Sequence, residues 1–258
     1  MAPKSSGKKS RIYWLPNVIT TCGLFSGFYA IVQAMNMRFD LAAIAIFVAL
    51  TFDVLDGRVA RITRTESDFG AEYDSLSDMV AFGAAPALII YEWGLRGMDK
   101  FGWFAAFVYC GCAALRLARF NTARPSSDKF FFRGLPSPAA AGLLAGFVWT
   151  VEVYNFHLAN LEWLTWALTV FAGASMVSNI PYYSGKDINI RKAVPFWVIV
   201  LSGFVIIISF QITENIPEVL FVFFAVYAVS GYIRFLVAGA GLKDRDKNSV
   251  QKSQENSD

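Results

Sequence analysis

Eight apolar stretches govern what this chain can become. They run at approximately residues 13–34, 40–60, 71–93, 101–121, 136–156, 161–181, 193–212 and 216–238. Each is near the roughly 20 residues that a helix needs to cross hydrocarbon. A backbone in lipid finds no water to bond, so such stretches must be helices that satisfy their own polar groups. Composition agrees, with 55% of residues hydrophobic and a mean hydropathy of +0.44, above that of an ordinary soluble domain. The expected fold is an all-α integral membrane protein of about eight transmembrane helices. Residues 1–12 are a basic tail, 13–240 one membrane-embedded domain, and 241–258 a polar tail of mixed charge that reads as disordered. The basic start ahead of an apolar run imitates a signal peptide. That run is a full span long and shows no evident small-residue cleavage site, so it is read as an uncleaved first helix.

Basic residues set the orientation. One side collects Lys4, Lys8, Lys9, Arg11, Arg58, Arg61, Arg64, Arg116, Arg119, Arg124, Lys129, Arg133, Lys186, Arg191, Lys192 and Arg234, with four more lysines and arginines after them. The other side has Arg38, Arg96 and Lys100. By the positive-inside rule, both termini face the cytosol.

Residues 53–78 lie on that cytosolic side and concentrate the chemistry. They read Asp53-Val54-Leu55-Asp56-Gly57-Arg58-Val59-Ala60-Arg61, eight further residues, then Gly70-Ala71-Glu72-Tyr73-Asp74-Ser75-Leu76-Ser77-Asp78. The aspartates form two pairs, three and four residues apart, and both spacings place a pair on one helix face. Carboxylates at the end of a membrane helix are costly unless a cation joins them. A short hairpin between the second and third helices lets all four converge. An oxygen-only donor set favours a hard ion such as Mg²⁺, Mn²⁺ or Ca²⁺, and four carboxylates have room for two metals, the arrangement that clamps an in-line phosphoryl displacement. Gly57 and Ala60 leave space for close approach, and Arg61 offers a cation to a phosphate. The plainer alternative is a set of interfacial charges that only mark helix ends. Ahead of this stretch, Asn17 and Thr20 offer polar atoms at the start of the first helix, where Pro16 fits a first turn.

Other polar residues carry less. Cys22, Cys110 and Cys112 are an odd number inside apolar stretches and read as small core residues. His157, the single histidine, falls in a connection away from the aspartates. Glu92 and Glu152 sit at the far ends of helices, where interfacial solvation accounts for them.

The pattern Asp53-x-x-Asp56-Gly57-x-x-Ala60-Arg61, eight residues, Gly70-x-x-x-Asp74-x-x-x-Asp78 resembles the signature of the CDP-alcohol phosphotransferases, matching eight identities over 26 positions. The resemblance implies a membrane-embedded, usually dimeric enzyme that displaces CMP from a CDP-linked donor with the hydroxyl of an acceptor alcohol. It implies Asp53, Asp56, Asp74 and Asp78 as ligands of two divalent cations, Mg²⁺ or Mn²⁺, and Asp78 as the general base. It further implies that Asn17, Thr20, Gly57, Ala60, Arg61 and Ser67 hold the CDP-diacylglycerol donor.

The acceptor is read from later segments. Arg116-Leu117-Ala118-Arg119-Phe120-Asn121 ends the fourth apolar stretch, and Arg133-Gly134-Leu135-Pro136-Ser137-Pro138-Ala139 follows. Planar guanidinium groups suit a carboxylate or phosphate. These segments, with Met176-Val177-Ser178-Asn179-Ile180-Pro181-Tyr182-Tyr183-Ser184, resemble the serine-accepting branch of the same family; Ser184-Gly185-Lys186 departs slightly from that branch. The expected substrates are CDP-diacylglycerol and L-serine, with the serine carboxylate on Arg116, Arg119 or Arg133, and phosphatidylserine and CMP as products. The expected setting is a bilayer, in particular a bacterial inner membrane, with no nucleic-acid partner. Two alternatives remain: another acceptor (glycerol 3-phosphate, inositol phosphate or choline), or a divalent-cation transporter built on the same carboxylates.

Overall fold

The computed structural model describes residues 14–65, 67–122, 131–154, 160–183 and 216–255. Its helices are α1 (Trp14–Met35), α2 (Phe39–Thr63), α3 (Asp68–Asp78), α4 (Ala85–Ile90), α5 (Asp99–Thr122), α6 (Ser137–Tyr154), α7 (Leu161–Val177) and α8 (Ile216–Glu255). They occupy seven of the eight apolar stretches; residues 193–212 lie outside the described residues, as do the N-terminal tail and His157. By length and composition, Trp14–Met35, Asp68–Thr122 and Ile216–Phe235 can each cross a membrane. The second of these folds back on itself. Asp99 has a φ of 47°, a left-handed position that breaks the helix, and Tyr109 on the return pass hydrogen-bonds Phe82 O at 3.0 Å. The reversal is tight, since a Cβ on Gly102 would stand 1.9 Å from Leu95 O.

Between α3 and α4 the chain makes a π-helical turn over Met79–Ala84. Pro86 supplies the reason: it lacks an N–H, and its ring crowds the carbonyl four residues earlier. That carbonyl belongs to Phe82, which accepts the buried Tyr109 hydroxyl instead.

Small residues set the packing. On α1 the buried positions Gly23, Gly27, Ala30 and Ala34 form one face. This face meets α2, whose buried alanines are Ala42, Ala43, Ala45 and Ala49, and the start of the α3–α4 segment. Helices surrounded by lipid gain nothing from burying oil in oil, so close backbone approach through small side chains holds them together. Helix α6 is buried all round and packs against α2, α7 and α8. Phe25, Phe28, Phe101, Phe104, Phe107, Val222 and Phe223 point outward, as suits a hydrocarbon surround.

Three features depart from the sequence reading. The fold is not wholly helical: Phe131–Arg133 (β1) and Pro181–Tyr183 (β2) pair antiparallel, Phe131 opposite Tyr183. This ribbon brings together the two segments preceding α6 and following α7, fastened by Gly134 N–H to Ile180 O at 2.9 Å and Leu135 N–H to Ser175 O at 2.9 Å. Gly134 has a φ of 83°, and a Cβ there would meet Met176 O at 2.2 Å. Helix α8 continues to Glu255, through the tail that composition reads as disordered; lysine, glutamate and glutamine are good helix formers and extend the helix begun by the apolar half. Glu92 and Glu152 do not rely on solvation alone. Arg96 pairs with Glu92 at 2.8 Å, and the Trp93 indole N–H donates to Glu152.

The α1 packing generates a test. A Cβ on Gly27 would stand 2.6 Å from Ala81 Cα and 2.8 Å from Ala81 Cβ, so Gly27→Ala should destabilise the protein by about 1–3 kcal/mol. Gly111→Ala, inside α5 with nothing within 4 Å of the added Cβ, should hold or slightly raise the thermal midpoint in detergent, since alanine is the better helix former.

Candidate active site

The α2–α3 hairpin builds the site. Helix α2 stops at Arg64, whose left-handed backbone (φ 54°) returns its N–H to Ala60 O, and Thr65 N–H bonds the same carbonyl at 3.0 Å. Ser67 then caps α3, its hydroxyl accepting from Gly70 N–H at 3.0 Å in the manner of an N-cap. This short reversal sets the end of α2 beside the start of α3. Asp53, Asp56 and Asp74 each offer a carboxylate oxygen within 4.8 Å of the others. Asp78, one turn beyond Asp74, joins them in lining a cleft with Thr20, Gly23, Ala49, Ser77 and Phe82, but stands outside the tight trio.

Neighbouring groups fix these carboxylates. Asp56 is buried, with the Thr20 hydroxyl and the Gly57 N–H within hydrogen-bonding reach and Arg61 as the nearby cation. Arg116 is the cation facing Asp53 and Asp78. Helix α1 is tied to α3 twice: Ser77 Oγ donates to Thr20 O at 3.2 Å, and Thr21 Oγ1 and Tyr73 OH are 2.9 Å apart. At the far end of α5, Asn121 Nδ2 donates to Ser75 Oγ at 3.0 Å and to Glu72 Oε2 at 3.4 Å.

The residue set fits a divalent metal. All donors are oxygens, they converge, and Asp74 Oδ1 is buried with no hydrogen-bond partner among the described residues. A buried acceptor left alone costs about 1–3 kcal/mol, a cost that a cation would remove. The residues expected around the donor lie close by. Asn17 Oδ1 and Ser67 Oγ both flank Gly70, 3.7 Å and 3.1 Å from where its Cβ would be. At Gly57 a Cβ would meet only the Arg61 guanidinium, at 3.8 Å and 3.9 Å, so packing does not demand glycine there and the space is open to a ligand.

The expected acceptor residues separate. Arg116 is half-buried and donates to Ser137 Oγ at 2.8 Å, whereas Arg119 is exposed and donates to Asn179 Oδ1 at 2.7 Å. Arg133 lies on β1, opposite Pro181. Sequence reasoning missed the tie from Asn121 to α3, the Ser77–Thr20 tie and the Arg116–Ser137 bond. Helical spacing puts 109, 113 and 116 on one face of α5, but nothing in residue order names Ser137 as the partner.

Fold and site together define an integral membrane protein, helical among the described residues save for one short ribbon, with an acidic centre between α2 and α3, about two to three turns in from the hairpin rather than at the helix ends. Residues 13–174 match the sequence model of the CDP-alcohol phosphatidyltransferases. A CDP-diacylglycerol–serine O-phosphatidyltransferase of Helicobacter pylori is 37% identical over 225 residues, covering 87% of this chain and 92% of the relative. A protein of the same name from Methanocaldococcus jannaschii is 33% identical over 228 residues, 88% of this chain and 96% of its own. One from Saccharomyces cerevisiae is 38% identical over 154 residues, 54% of each chain. The chain belongs to the CDP-alcohol phosphatidyltransferase family and is an enzyme of that class.

Replacing the α3 cap tests the hairpin. Ser67→Ala should cost about 1 kcal/mol of stability, read as a lowered thermal midpoint, and Ser67→Asp should restore it.

Proposed function

We propose that the protein transfers the phosphatidyl group of CDP-diacylglycerol to L-serine, giving phosphatidylserine and CMP. The observation that carries this reading is the convergence of Asp53, Asp56 and Asp74 within 4.8 Å, in a signature that matches the family without a gap. The serine acceptor is supported by the names of the relatives that align along most of the chain.

Asp53, Asp56, Asp74 and Asp78 would hold two divalent cations, Mg²⁺ or Mn²⁺, and when bound these would screen the diphosphate and the departing CMP. Asn17, Thr20, Gly57, Ala60, Arg61 and Ser67 receive the cytidine diphosphate, Arg61 as a charged donor to phosphate oxygen. Serine enters from water, its carboxylate on the exposed Arg119, with Arg133 of the ribbon as a second candidate. Asp78, in the cleft but apart from the close trio, takes the proton of the serine hydroxyl. The serine oxygen forms a bond to the phosphorus that carries diacylglycerol, and the bond from that phosphorus to the CMP oxygen breaks. The active site faces the cytosol, with eight spans and both termini on that side, in a homodimer in a bacterial inner membrane. The strong excess of lysine and arginine on the aspartate side supports this orientation.

The test is CMP release by the purified protein from CDP-diacylglycerol. Release should require L-serine and a divalent ion, stop with EDTA and return with Mn²⁺. Dependence on glycerol 3-phosphate, inositol phosphate or choline instead would keep the aspartate chemistry and overturn the acceptor. Asp78→Asn should lower kcat by at least about 100-fold. Arg119→Ala should raise the serine KM about tenfold or more, the usual cost of losing a charged hydrogen bond.

A further inference from the structure

Helix α5 returns antiparallel along α3 and the π turn, and two hydrogen bonds mark the register. Tyr109 reaches Phe82 O at 3.0 Å near the middle of the bundle, and Asn121 reaches Ser75 at 3.0 Å near the end. Ala113 lies between, 3.3 Å from where a Cβ on Gly83 would stand. Arg116 continues the stripe of 109 and 113 at helical spacing, which carries it to the level of Asp78. Among the described residues it is the cation whose charge acts on both Asp53 and Asp78, and Tyr227 of α8 is also within its electrostatic reach. Its Nη1 donates at 2.8 Å to Ser137 Oγ, and Ser137 is fully buried at the first position of α6.

Arg119 differs in every respect that matters here. Three residues further on, it is turned about 60° around the helix, exposed to water and bonded to Asn179. An arginine that collects a water-borne carboxylate needs exposure. An arginine anchored on a buried serine, at the level of Asp78 and with its charge acting on two fixed carboxylates, is already engaged.

We infer that Arg116 is a positioning residue of the carboxylate centre: anchored on Ser137, its guanidinium is the resident counter-cation of Asp53 and Asp78, and an incoming divalent ion must compete with it. The inference rests on the aspartates being the metal centre of the proposed transfer, and on the acceptor carboxylate lying elsewhere. It joins α2, α3, α5 and α6 at one side chain, so the acidic centre is held by the buried helix α6 as well as by its own hairpin.

Mn²⁺ binding to the full-length protein in detergent, read from the electron paramagnetic resonance signal of free Mn²⁺, tests it without turnover. Arg116→Gln removes the competing charge and should bind Mn²⁺ about fivefold more tightly than the parent, with kcat lowered and the serine KM within about twofold of the parent's. Unchanged or weaker Mn²⁺ binding by Arg116→Gln would overturn the counter-cation. A serine KM raised about tenfold with kcat held would return Arg116 to the acceptor site. Arg116→Lys keeps the charge and loses the planar fork, and it decides the matter should the glutamine variant not fold. Parent-like Mn²⁺ affinity with lower kcat and unchanged serine KM supports positioning, and a raised KM with unchanged kcat overturns it. A parent protein that binds no Mn²⁺ at all sinks the metal centre itself and this inference with it, an outcome distinct from all the others.

Discussion

Mutual repulsion among carboxylates is the constraint around which this protein is arranged. Two full charges about 5 Å apart repel by roughly 3 kcal/mol at the effective dielectric of a protein surface, and three aspartates lie within 4.8 Å of one another. A flexible chain would relieve this by moving apart. Here the hairpin is closed by the left-handed Arg64 and the Ser67 cap, and α1 is tied to α3 through Ser77 and Tyr73. Close packing at Gly27 and Ala81 then leaves α3 no room to slide along α1. That repulsion among the carboxylates is what a bound cation would relieve.

The framework behind the centre uses the economy of membrane packing. Apolar side chains gain little by leaving lipid, so contacts between helices rest on small residues and on a few directed hydrogen bonds. The buried Tyr109–Phe82 bond and the Asn121 bonds to α3 connect α5 to the segment that bears Asp74 and Asp78, and the Arg116–Ser137 bond connects α5 in turn to α6. The ribbon of β1 and β2 draws the ends of α6 and α7 toward the end of α5, where Arg119 meets Asn179. Segments far apart in sequence are thus brought together at the end of α5.

Much of this was legible from residue order. The three-and-four spacing of the aspartates put them on helix faces, and the apolar stretches marked the helices that the structure describes. What escaped was geometry that depends on neighbours. Arg116 and Arg119 look equivalent as a pair three apart, yet 60° of helix rotation turns one inward and leaves the other in water. The ribbon is too short, and its strands too far apart in sequence, for alternation to reveal it. Residue order predicts the reversal between the stretches at 71–93 and 101–121, and the structure supplies its form in the left-handed Asp99 and the crowding at Gly102. The widening ahead of Pro86 does not show in residue order, where 71–93 is one apolar stretch.

The widened turn at Met79–Ala84 has a bearing on how such a protein can diversify. A π turn adds residues without ending a helix, and each added residue rotates the remainder of the helix by about 100°. The part of the helix before it, which carries Asp74 and Asp78, is thereby decoupled in angle from Ala85–Ile90 behind it. Lipid-facing and neighbour-facing positions deeper in the bilayer can change with membrane composition while the carboxylates keep their aim.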